Sequence, residues 1–140
     1  RSGVTVEILN ERGGEYLPGY LGIEIVELAH NTLRCRMEVK KLHIAPNNFL
    51  HAASVVALAD TACGYATLAH LPDGAESFTT IELKSNFLGT AKDGGIVGCI
   101  ATAQHLGRNT QVWDAVVTDE ATTRKIALFR CTQMILWKKS

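Results

Sequence analysis

The sequence predicts an α+β fold, with one antiparallel sheet wrapped along a single long buried helix. Three observations carry this. The segment from His51 to His70 is long, apolar and rich in small residues. Two extended segments precede it. A run of strands separated by Gly, Asp and Asn turns follows it.

Taken in order, residues 12–22 hold Gly13, Gly14, Pro18, Gly19 and Gly22 and read as turns around a short helix at most. Ile23 to Leu28 is extended and leads to a turn at His30-Asn31. Leu33 to Val39 alternates with period two, the mark of a half-buried strand. Pro46-Asn47-Asn48 interrupts the pattern and offers N-cap chemistry to the next helix. That helix runs from about His51 to about His70, and Pro72-Asp73-Gly74 ends it. It is apolar nearly all round, which predicts burial. Thr79 to Leu88 then places Ile81, Leu83 and Phe87 on one face and Thr80, Glu82, Lys84 and Asn86 on the other. Asp93-Gly94-Gly95 is a hairpin-type turn. Ile96 to His105, Thr110 to Thr118 and Lys125 to Leu136 complete the sheet.

The bulk properties narrow the function. At 140 residues, one domain covers the whole chain, residues 1–140, with room for a sizeable core. The formal charge is zero, so there is no electrostatic case for nucleic acid or an anionic membrane surface. The only candidate membrane span contains Asp60, so no membrane partner is expected. Cys35, Cys63, Cys99 and Cys131 are widely spaced, without the ligand spacing of a zinc site. They read as buried, reduced thiols, with no metal and no cofactor. A basic start followed by an apolar core is missing at the N-terminus, so the expected compartment is the cytoplasm.

Asp60 is the most informative residue. It stands among Val55, Val56, Ala57, Leu58, Ala59, Ala62 and Cys63, with no Lys or Arg nearby in sequence. An unpaired carboxylate is costly to bury and tends to a raised pKa, a condition common at functional sites. The competing possibility is a carboxylate that caps neighbouring backbone.

The order of elements and several short stretches resemble the hotdog-fold acyl-CoA thioesterases, within them the phenylacetate-pathway and 4-hydroxybenzoyl-CoA thioesterase branch. The stretches are His43-x-x-Pro46, His51 at the helix start, Leu58-Ala59-Asp60-Thr61, the strand Thr80-Ile81-Glu82-Leu83-Lys84-Ser85-Asn86-Phe87-Leu88, Gly107-Arg108 and Val117-Thr118-Asp119-Glu120. The chain departs from the family where two glycines usually follow the histidine (Ala52 and Ala53 here). It also has Ala45 at a frequent Asn position and Asn48 at a loop glycine. Asn tolerates left-handed backbone better than most residues.

The resemblance implies thioester hydrolysis of an acyl-CoA, with Asp60 as nucleophile or general base. It implies the Ala52 amide as oxyanion donor, at a helix start where N–H groups are free and the dipole is positive. A side-chain amide would come from Asn47 or Asn48. His51 would orient the substrate carbonyl or support the loop, and Thr80 would help hold water. Lys84, Asn86 and Arg108 would meet the phosphates and pantetheine of coenzyme A; solvated strand and turn positions are the alternative for each. A hotdog dehydratase or hydratase, and a non-catalytic acyl-binding domain, are the competing functions.

One inference needs no family. His51 and Asp60 are nine residues apart. At 3.6 residues per turn they lie roughly 13 Å apart along the axis and on opposite faces. If both serve one substrate, they come from two copies of the helix. The expectation is a homodimer with shared sites, assembled further as a dimer of dimers.

Overall fold

A computed structural model describes residues 1 and 3–139. Its elements are α1 (Val6–Gly13), α2 (Leu17–Tyr20), β1 (Ile23–Ala29), β2 (Thr32–Glu38), α3 (Ala52–Ala69), β3 (Ala75–Phe87), β4 (Ile96–Leu106), β5 (Thr110–Asp119) and β6 (Lys125–Trp137). The strands form one antiparallel sheet in the order β1-β2-β4-β5-β6-β3. β1 and β3 are therefore its edges. The expected α+β hotdog arrangement is the one observed, with the sheet curved along α3.

Strand alternation decides which side chains meet the helix. Leu33, Cys35 and Met37 of β2, Val97, Cys99 and Ala101 of β4, Trp113, Ala115 and Val117 of β5, and Ala127, Phe129 and Cys131 of β6 are buried. They pack against Val55, Leu58, Ala59, Ala62, Cys63 and Ala66 of α3 in one core. The small residues on α3 let the strands come close. All four cysteines are buried and free, as expected. α3 is long and apolar enough to cross a membrane, but half of it is buried against this sheet, which accounts for its composition.

The N-terminal region differs from expectation. α1 is a helix of eight residues, capped by the Thr5 hydroxyl, which accepts from the Ile8 N–H. Its apolar content is thin, with Leu9 the side chain it buries in the core. The short α2 is the short helix that the reading of residues 12–22 as turns allowed for.

Two further differences matter for function. α3 is not buried all round: Val56, Ala57, Asp60, Thr61, Gly64, Tyr65 and Leu68 form a half-buried stripe away from the sheet centre. In addition, β3 is not a continuous alternation. Thr80 pairs with Gln133 and Glu82 with Thr132, so Ile81 is an extra residue, a bulge that reverses the parity beyond it.

Candidate active site

The loop before α3 is held by a histidine. His43 is fully buried. Its Nδ1 accepts from the Lys40 N–H at 2.9 Å, and its Nε2–H donates to the Leu21 carbonyl at 2.8 Å, which fixes the neutral tautomer. The His43 carbonyl accepts from the His51 N–H and from the Ser54 hydroxyl. His43 therefore ties the N-terminal segment to the start of α3 and has no ring nitrogen left for chemistry.

Asn48 adopts φ 70°, the left-handed conformation expected where relatives carry glycine. Asn47 Oδ1 accepts from the Phe49 N–H in a local turn. Neither asparagine caps α3, which corrects the expectation from sequence. The cap is His51, whose Nδ1 accepts from the Ala53 N–H at 2.9 Å. The main chain reverses across Ala45–Phe49, where the Ala45 N–H donates to the Phe49 carbonyl and Ile44 pairs with Leu50, so the asparagines sit within that turn and His51 occupies the capping position. The Ala52 N–H makes no hydrogen bond among the described residues and is exposed. A free donor at the positive end of an 18-residue helix suits an anionic oxygen.

Asp60 lies on the half-buried stripe. Burial raises its pKa above the ordinary aspartate range. Its Oδ1 is closed to solvent and has no hydrogen-bond partner in the protein, so it does not cap backbone. Gly64, one turn on and 40° round the helix by the 100° step, faces β3, where an added Cβ would stand 3.4 Å from the Phe78 ring. Asp60 shares that β3-facing side. Cys63 is an unsuitable nucleophile, because the neighbouring Cys131 thiol and burial in the core hold its thiol well above the ordinary range.

Strand pairing sorts the β3 candidates. Thr80 is opposite the buried Gln133 and so faces the helix; its hydroxyl donates to Gln133 Oε1 at 2.6 Å. Lys84 and Asn86 are opposite Arg130 and Leu128, both exposed, and so lie on the outer face of the sheet. The expectation that they share the parity of Thr80 is corrected by the bulge at Ile81. They line a shallow outer groove of about 310 Å³ with Asp114 and Arg130, which are ion-paired. Arg108, in the β4–β5 turn, stacks its guanidinium over Trp137 at 4.2 Å.

Sequence reasoning passed over Gln133 and Ser85. Gln133 is completely buried, and its Nε2 has no partner. Both residues are short-range polar positions inside alternating strands and carry no signal beyond their parity. Among the described residues, no cluster of His, Cys, Asp or Glu has the makings of a metal site. One chain does not bring its candidate groups to one point: the Asp60 carboxylate lies on the side of α3 that faces the strand carrying the Thr80 hydroxyl, and the free Ala52 amide stands eight residues away, about 12 Å along the helix. Their chemistry suits attack on an acyl carbon with stabilisation of the resulting oxyanion.

Comparison with known proteins agrees with this chemistry. The sequence profile of the thioesterase superfamily matches residues 47–126. A 1,4-dihydroxy-2-naphthoyl-CoA hydrolase from Listeria monocytogenes is 32% identical over 85% of this chain and 94% of its own length. The proofreading thioesterase EntH from Cronobacter turicensis is 30% identical over 84% of each chain. The crystal structure of a mutant thioesterase from Pseudomonas aeruginosa superposes with a TM-score of 0.90 at 26% identity, covering 97% of this chain and 96% of that one.

Proposed function

The chain belongs to the thioesterase superfamily and is an acyl-CoA thioester hydrolase, and on that footing we propose that Asp60 is its general base and the Ala52 amide its oxyanion donor. The observation that carries the assignment is the Asp60 carboxylate, half-buried, raised in pKa and unpartnered at Oδ1. A base whose pKa is lifted toward neutrality takes a proton more effectively at working pH.

The reaction then runs in two steps. Water forms a bond to the acyl carbon and passes a proton to Asp60, while the carbonyl electrons move to oxygen and meet the Ala52 N–H. The tetrahedral intermediate collapses, the carbon–sulfur bond breaks, and the coenzyme A thiolate takes the proton from Asp60. The His51 imidazole, anchored through Nδ1, keeps Nε2 for the substrate side. Lys84, Asn86 and Arg108 contribute at the periphery, on phosphate rather than on the acyl group.

The site is shared by two copies of the chain in this reading. His51 and Asp60 lie on opposite faces of α3. β3 is a 13-residue edge strand with exposed Ile81, Leu83 and Phe87, and Leu88 follows it. Long apolar edges of this kind call for a covering partner. One protomer supplies the helix start with His51 and Ala52, and the other supplies Asp60 and Thr80. Exposed Ile100, Leu128, Met134 and Leu136 on the sheet support a second contact, pairing dimers into a tetramer. The four reduced thiols favour the cytoplasm.

Thiol release from a panel of short-chain, long-chain and aromatic acyl-CoA thioesters tests the reading. Turnover of at least one thioester by the wild type is expected. Binding without turnover across the panel would instead mark a non-catalytic acyl-binding domain.

A further inference from the structure

Gln111 and Gln133 stand directly opposite each other on β5 and β6, and both are buried. Gln111 uses both ends of its amide, donating to the His70 carbonyl and accepting from the Trp113 indole N–H. Gln133 does not. Its Nε2 has no partner, and its side chain makes one hydrogen bond, accepting at Oε1 from the Thr80 hydroxyl at 2.6 Å. A half-satisfied amide in a core costs stability that an apolar residue of the same size would not. Among the described residues, the one polar task of this amide is to hold Thr80.

Thr80 lies level with Asp60. A Cβ at Gly64 would stand 3.4 Å from the Phe78 ring, so Gly64 of α3 and Phe78 of β3 meet. Leu68, near the end of α3, packs in one cluster with Ala75 at the start of β3, so the two elements run in opposite directions. Asp60 is four residues nearer the helix start than Gly64, about 6 Å by helical rise. Two residues along β3 from Phe78 cover about 6.8 Å and reach Thr80. Phe78 and Thr80 are opposite Ile135 and Gln133, both buried, so both face the helix. Asp60 and Thr80 are each half-buried and stand at the solvent margin of this seam. Of the Asp60 oxygens, Oδ1 is closed to solvent, which leaves Oδ2 to meet water. The Ser85 hydroxyl, farther along β3, is also closed and without a partner, but it lies past the level of Asp60.

We infer that Gln133 is a positioning residue, acting through Thr80 to orient the attacking water. The inference rests on the reading of Asp60 as the base. A threonine hydroxyl has one hydrogen and two lone pairs. Gln133 Oε1 takes the hydrogen, so Thr80 Oγ1 meets the site only as an acceptor. The water then donates one hydrogen to Thr80 Oγ1 and the other to Asp60 Oδ2. Its remaining lone pair is directed at the acyl carbon. As the carbon–oxygen bond forms, the hydrogen on the Asp60 side passes to the carboxylate as a proton, and the carbonyl electrons move to oxygen. Thr80 and Gln133 gain and lose no proton. Without Gln133 the Thr80 hydroxyl is free to turn and donate to the water, which engages the lone pair needed for attack.

The test uses the thioester turned over fastest by the wild type, with kcat and KM measured separately for each variant. Thr80→Val is expected to lower kcat on the order of 10-fold to 100-fold, the reach of one well-placed hydrogen bond. Thr80→Ser keeps the hydroxyl and is expected to retain most of kcat. Gln133→Met, close in size and without the amide, is expected to lower kcat about 10-fold with KM within about threefold. The double variant of Thr80→Val and Gln133→Met is expected to be no slower than Thr80→Val alone, because Gln133 acts only through the hydroxyl. A Gln133 that merely fills the core predicts a change in melting temperature with kcat per folded molecule untouched. Gln133→Leu repeats the measurement if Gln133→Met does not fold; failure of both to fold marks the amide as structural and overturns the inference. Wild-type kcat in a folded Gln133 variant, or a Gln133→Met loss that persists in full beside Thr80→Val, overturns it too, and an inactive Asp60→Asn then leaves the base assignment standing. Near-normal turnover by folded Asp60→Asn overturns that assignment and this inference with it.

Discussion

The two ends of α3 are built on opposite principles. At its C-terminal end the side chains of His70, Gln111 and Trp113 are hydrogen-bonded to one another and to backbone, with Asn31 Oδ1 beside them the buried exception. The His70 ring accepts from the Asn31 N–H through Nε2 and donates from Nδ1–H to the Ala66 carbonyl. Its backbone carbonyl accepts from Gln111 Nε2, and Gln111 Oε1 in turn accepts from the Trp113 indole N–H. Toward the start and middle, the Ala52 N–H and Asp60 Oδ1 have no partner. Satisfied groups rigidify; groups left open in a folded protein are available to a ligand. On the proposed reading one helix thus holds a structural half and a reactive half, and the polar residues alone do not tell them apart.

The largest effect belongs to subunit mixing, which attacks the reactive half. Asp60→Asn and Ala52→Pro are each expected to be inactive, the second because proline removes the amide proton at a position where the helix tolerates it. In a mixed dimer one site collects both defects and the other none. Random exchange makes about half the dimers mixed, so roughly a quarter of all sites recover turnover. Verified mixed dimers without activity would place the whole site within one chain.

The structural half responds differently. Gln111→Leu strands the Trp113 N–H and removes a donor from the His70 carbonyl. A loss of about 1–3 kcal/mol in stability is expected by denaturant unfolding, with kcat per folded molecule unchanged. A large fall in kcat at full folding would erase the distinction between the ends.

How much of this was legible in the sequence depends on what each residue type reports. The strand–helix–strand order was plain because period two and a long, apolar, small-residue segment are strong signals. Asp60 stood out by contrast with its apolar neighbours. α1 was missed because it shows few apolar residues and ends in glycines. The bulge at Ile81 was invisible, since Thr80 to Phe87 alternates plausibly in either parity, and this sent Lys84 and Asn86 to the wrong face. The cap on α3 was given to asparagines, the better intrinsic caps, because nothing local indicates that the main chain turns once more before His51. Ser85 and Gln133 become notable only when burial and the missing partners are known.

Smaller effects sharpen the same contrast. Cys63→Ala removes a packed, protonated thiol one turn from Asp60. It is expected to keep most turnover, with stability reduced by about 1 kcal/mol for the lost buried volume. Turnover abolished together with labelling of Cys63 by a thiol reagent would replace Asp60 with a cysteine mechanism. Lys84→Ala, on the outer face, is expected to raise KM no more than about threefold and to leave kcat alone, as suits an exposed charge meeting phosphate. A fall in kcat would mean that the outer face takes part in the chemistry.

The most direct test is the pH dependence of kcat for the wild type, set beside the stability of Asp60→Asn. A general base acts only when ionised, so kcat should fall on acidification with a midpoint above 3.8, the ordinary value for aspartate. The same raised pKa has a stability consequence. The folded protein holds the Asp60 proton to higher pH than the unfolded chain does, so stability declines as pH rises from the ordinary aspartate value through the raised one, then levels. Asp60→Asn escapes that decline: it should melt higher than the wild type at neutral pH, converge with it below the ordinary value, and lose on the order of 100-fold or more in turnover. An acid limb at the ordinary aspartate value, or near-normal turnover by folded Asp60→Asn, would contradict the assignment of Asp60 as the base.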